Sequence, residues 1–161
     1  MLTWNADTPV LSSPSVQDNR QVMMKQQESS GIPYTTLPAD LQVIEREKSR
    51  LILEAHLFKA QMRFAEAAER FEEAARHENK LADWATAQGL TDLSYLHTFS
   101  ALSCWAQAGD PHRALKLSQA LLNSGKLTEP QRAQVQSYYD TLEQRWVKWM
   151  QQWSTPALVP A

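Results

Sequence analysis

A spacing of small and aromatic residues that occurs twice constrains the fold more than any other feature. Ala55 and Phe58 are followed by Phe64, Ala67, Phe71 and Ala74; Leu102 and Trp105 are followed by Gly109, Ala114 and Leu121. Small side chains let two helix axes approach closely, and aromatic rings fill the space beside them. The pattern therefore asks for paired helices that stack on a neighbour. Only four glycines occur among 161 residues, and Ala, Gln, Glu and Leu are abundant, which favours helix over sheet.

Start and stop signals divide the chain. Residues 1–35 contain Pro9, Pro14 and Pro33, several Ser and Gln, and little apolar periodicity, so they read as a disordered arm. Within it, Ile32 and Tyr34, with Leu37 just beyond, could form a docking segment. Thr36 or Asp40 can cap a first helix near Pro38 that runs to about 61. Met62–Phe64 reads as a tight turn, and a second helix spans about 65–88 and stops at Gly89. Thr91 can cap a third helix, about 92–108, ending at Gly109. Asp110-Pro111 opens a fourth, because Asp caps and Pro at the first helical position loses an N–H that has no partner there. Thr128-Glu129-Pro130-Gln131 is a capping box for a fifth helix that runs to about Trp153, with Pro156 and Pro160 in a tail at 155–161.

These spacings resemble the tetratricopeptide repeat over about residues 48–128. Ala55, Phe58, Ala67, Phe71 and Ala74 match one unit. Trp105, Gly109 and Ala114 match a second, where Leu102, Ser118 and Leu121 depart from the pattern. The units are offset by 47 residues, Ala67 to Ala114, against the family's roughly 34. The resemblance implies protein or peptide binding on a concave surface that would include Ser49, Ile52, His56 and Lys59, then Leu96, Phe99 and Ser103. No asparagine stands where some members clamp an acidic C-terminus, so an apolar or amphipathic segment suits Ile52, Leu96 and Phe99 better. The competing reading is that these residues pack against the fifth helix or the arm.

Other constellations point to no chemistry. Glu73 and His77, four apart, lack the further converging ligands of a metal site, so His77 reads as a surface partner of Glu73. His97 and Cys104 share a helix face, but a thiol nucleophile needs a base in reach and an oxyanion site; Cys104 reads as a small core residue. It is the single cysteine, so no disulfide forms within the chain, which fits a reducing compartment. Residues 45–80 hold eight basic and eight acidic side chains. These cancel, and they read as a solvated face. Net charge is −2 with no basic stripe, which argues against nucleic acid. No apolar run approaches the roughly 18 residues of a membrane span.

The fifth helix carries one apolar stripe: Val135, Tyr138, Tyr139, Leu142, Trp146, Trp149, Met150 and Trp153. Its first half can cover the preceding helices. At 1.5 Å per residue, however, a fourth helix of about 14 residues is too short to cover a fifth of about 24, so Trp146–Trp153 overhang. Burying a large aromatic side chain is worth roughly 2–3 kcal/mol, so the long second helix or another chain should shield them.

The expected fold is thus all-α, antiparallel helical hairpins of tetratricopeptide-like type with a C-terminal capping helix over residues 36–154. The expected function is a non-catalytic, cytoplasmic protein-interaction module: an adaptor, assembly factor, scaffold or chaperone-like subunit. It would bind a protein or peptide segment through Ile52, His56, Lys59, Leu96, Phe99, Ser103, Trp146, Trp149 and Trp153, with no cofactor or metal. The alternative is an obligate structural subunit of a homo- or hetero-oligomer held by the Trp-rich helix.

Overall fold

Turn chemistry sets the architecture. A computed structural model describes residues 37–154 and shows five helices in succession: α1 (Ala39–Ala60), α2 (Phe64–Ala87), α3 (Thr91–Gln107), α4 (Pro111–Asn123) and α5 (Glu129–Ser154). No strand occurs among the described residues, and none of these helices is long and apolar enough to cross a membrane. The arm at 1–35, with Ile32 and Tyr34, the alternative cap Thr36 and the tail at 155–161 lie outside the described residues.

The chain divides into two units at Gln42 and Val43. In the first, the described residues 37–42 start α1: the Gln42 N–H donates to the Pro38 carbonyl (2.9 Å) and its side-chain amide to the Leu37 carbonyl (2.7 Å). All that follows concerns the second unit.

Three successive helices end on the same bonding pattern. After α1, the Arg63 N–H reaches the Phe58 carbonyl (2.8 Å) and the Met62 N–H that of Lys59 (3.0 Å). After α2 and α3, the equivalent bonds run Leu90 to Ala85 and Gly89 to Thr86, then Asp110 to Trp105 and Gly109 to Ala106. Each closure satisfies orphan carbonyls but places one residue in the left-handed region. Glycine fills that position twice, at φ 72° and 83°; after α1 it is Met62, at φ 60°.

Two of the expected caps form. The Arg113 N–H donates to Asp110 Oδ1 (3.0 Å), with Pro111 in the first turn of α4. Thr128 and Gln131 bond reciprocally at the start of α5, at 3.4 and 3.1 Å. Thr91 does not cap α3: it lies inside the helix, and Leu90 holds the cap position without a side-chain bond.

Cross-helix contacts fix the order of packing. Glu54 meets Arg70 (3.1 Å) and Lys48 meets Glu78 (3.5 Å), so α1 and α2 run in opposite senses. Thr86 with Ser94 and Glu78 with Ser100, both at 2.7 Å, set the same relation between α2 and α3. Gln119 with Tyr139 and Arg132 with the Leu122 carbonyl, both at 3.2 Å, repeat it for α4 and α5. One core joins all five helices: Leu51 and Ala55, then Ala67, Phe71, Ala74 and Ala75, then Cys104 and Trp105, then Ala114 and Leu142. Ala55, Ala74, Ala75 and Ala114 are wholly buried. The small residues therefore stand at the helix–helix contacts, where a larger side chain would hold the axes apart.

Candidate protein interface

α5 changes character along its length. Val135 and Leu142 are 0% and 2% exposed, and Tyr138 and Leu142 pack on the common core. The same stripe continues into Trp146 and Trp149, which are half-buried, and ends on Trp153, which is exposed. The bonds between α4 and α5 place Pro111, the first residue of α4, opposite residues 143–147 of α5. Beyond that level about seven to eleven residues of α5 continue, roughly 10–16 Å of helix.

At this end of α5 the indoles cover one another. Trp146 and Trp149 stack at 5.1 Å between ring centroids with planes 25° apart, and Trp149 meets Trp153 at 6.0 Å and 59°. Trp153 is 64% exposed, and Met150 and Val147 are 43% and 45% exposed. Aromatic pairs of this kind add about 0.5–1.5 kcal/mol beyond area burial, which holds the ladder in one shape. Large apolar side chains grouped in the open mark interaction sites on folded proteins.

The six positions expected on α1 and α3 meet different fates. Phe99 lies 5.9 Å from the Tyr95 ring and 5.5 Å, edge on, from Tyr138 of α5, and Ser103 neighbours the Tyr138 hydroxyl. α5 therefore occupies that part of the expected groove. Ile52 is half-buried against the core, and Lys59 and Leu96 are half-buried. His56 is exposed, with its ring 5.2 Å from Phe71 in an edge-on contact. Partial burial and the Lys59 charge hold the His56 imidazole below its ordinary value of 6.5.

A buried polar network lies where α1, α2 and α3 meet. Glu78, 2% exposed, accepts from Ser100 Oγ (2.7 Å) at one carboxylate oxygen and contacts His97 Nδ1 (2.7 Å) at the other. Lys48 Nζ stands 2.6 Å from Glu45 and 3.5 Å from Glu78. Burial pushes the Glu78 carboxyl up. His97, Lys48 and Ser100 outweigh it and hold the group below its ordinary value of 4.5. Glu78 is therefore an ionised acceptor, and His97 donates through Nδ1–H. Nearby, burial and the Glu78 charge push the Cys104 thiol up to about 12, against smaller opposing effects of Lys48 and Ser100. The nucleophile is the thiolate, so at neutral pH this site holds the unreactive form.

Residue identity alone did not mark this network. The signal lies in register: Glu78 continues the buried series Phe71, Ala74, Ala75, Leu81, Ala82 and Ala85 on α2. Glu45 and Lys48 likewise interrupt the apolar stripe of α1 that includes Leu51 and Ala55. The expected pairing of Glu73 with His77 does not appear; Glu73 stands 3.7 Å from Arg70. Among the described residues no group of His, Cys, Asp or Glu is arranged to hold a metal ion. In comparisons with known proteins, no family model, curated protein or solved structure matches the chain.

Proposed function

We propose that this chain is a non-catalytic protein-interaction module of tetratricopeptide-like antiparallel hairpins, with α5 as both their cap and the partner-binding element. The observation that carries this reading is the apolar far end of α5: Val147, Met150 and Trp153 are exposed, and they adjoin the stacked, half-buried Trp146 and Trp149. Its own core needs only the first half of α5; the second half presents tryptophan, a residue type enriched among binding hot spots. A cytoplasmic adaptor, assembly factor or chaperone-like subunit fits that layout.

The test is affinity enrichment from the native source with wild type, Trp149→Ala/Trp153→Ala, and His56→Ala/Lys59→Ala, after circular dichroism shows that all three are folded. Loss of a protein with the tryptophan variant alone supports the reading. Unchanged recovery with that variant refutes it.

A second reading, an obligate subunit of a homo- or hetero-oligomer, is favoured by a separate observation. Leu53 and Leu57, one turn apart on α1, are 71% and 57% exposed. A chain with two uncovered apolar surfaces should self-associate or aggregate when isolated. Sedimentation of the purified chain over a range of concentrations separates the readings, since an adaptor remains monomeric.

A further inference from the structure

Resting on the reading of α5 as the partner-binding element, we infer that its projecting end is the inserted helix, and that the partner supplies an apolar groove with carboxylates along one rim. Geometry gives the groove. At 100° per residue, the exposed Val147, Met150 and Trp153 spread over about 120° of the helix circumference. A flat surface touches one stripe, whereas an arc this wide is covered only by walls on more than one side, as when a helix lies in a groove.

Charge gives the rim. Residues 144–154 contain Arg145 and Lys148 and no acidic side chain. Both cations fall on the flank of the ladder opposite Val147 and Met150. Carboxylates facing that flank complement it and orient the helix in the groove.

The same two observations disfavour a second copy as occupant. Antiparallel pairing of two such ends would bring the basic flanks together. The three exposed side chains of the projecting end also present far less than the roughly 800 Å² per partner that a stable dimer buries.

The experiment uses the full chain with a diazirine amino acid in place of Met150, photolysed in extract from the native source, and crosslinked peptides are sequenced. The expected adduct is on a different protein, at an apolar segment with Asp or Glu within two turns or in the facing wall. Arg145→Glu/Lys148→Glu, verified as folded, should lower its yield about tenfold. An undiminished yield overturns the acidic rim while leaving protein binding in place. Adducts on a second copy overturn the groove partner. No adduct overturns this inference and the parent reading together. A parallel titration with vesicles of phosphatidylcholine and phosphatidylserine follows tryptophan emission. No shift is expected, and a blue shift that depends on phosphatidylserine replaces the protein groove with a lipid surface.

Discussion

Glu78 shows how much one side chain can hold. Two neighbouring helices converge on its carboxylate, α1 through Lys48 and α3 through His97 and Ser100. Removing one member of a buried pair leaves the others uncompensated, so Glu78→Ala should cost about 3–5 kcal/mol in urea unfolding. Because the folded-state value is depressed, the contribution is complete above the ordinary value of 4.5 and is lost as pH falls through the lower folded value. Stability of the wild type should hold from neutrality to about pH 5 and then decline, and Glu78→Ala should flatten that acid limb. An unchanged limb would mean that other carboxylates govern it. Met62 makes the opposite case. A non-glycine residue in the left-handed region costs about 1–2 kcal/mol, and glycine brings back about 0.5–1 kcal/mol of unfolded-state entropy. Met62→Gly should therefore raise stability by about 0.5–1 kcal/mol, read as a higher urea midpoint at unchanged slope.

At the scale of elements, the chain announced its boundaries through local chemistry. Gly89, Gly109, Asp110-Pro111 and the Thr128–Gln131 box each act within a turn of their own position, so sequence alone locates them. Asp110→Ala, which deletes the bond to the Arg113 N–H, should cost about 1 kcal/mol in thermal or chemical unfolding. The Leu90 cap of α3 was not legible, because it forms no side-chain bond that a residue type could signal. Nor was the union of Glu78 with His97, which lie nineteen residues apart on separate helices. Each looked like an ordinary polar residue until packing supplied the other. The apolar stripe of α5 was readable throughout, and relative helix lengths anticipated the exposure of Met150 and Trp153 but not the half-burial of Trp146 and Trp149. The position of Tyr138 over Phe99 and Ser103 was left open, since periodicity gives a face and not its neighbour.

Across the whole molecule, helix packing follows chain order: α2 lies on α3, α3 on α4 and α4 on α5. Arrays built this way gain stability from nearest-neighbour interfaces. Here, however, a single core passes from Leu51 to Leu142 without a break, which ties the interfaces into one cooperative block. Thermal unfolding followed by far-ultraviolet dichroism and by tryptophan emission should give coincident transitions for residues within that block. Separate midpoints would show that α5 detaches before the rest.

The tryptophan ladder also gives the molecule an optical signature of its own. Two indoles stacked at 5.1 Å are close enough for their electronic transitions to mix. The resulting exciton couplet depends on the angle between the rings and vanishes when they part. A ligand that slides a side chain between Trp146 and Trp149 would remove that pair's share and leave only the coupling of Trp149 with Trp153, whereas one that clasps the ladder from outside would leave both intact, so the circular dichroism of the unlabelled protein distinguishes the two modes of capture.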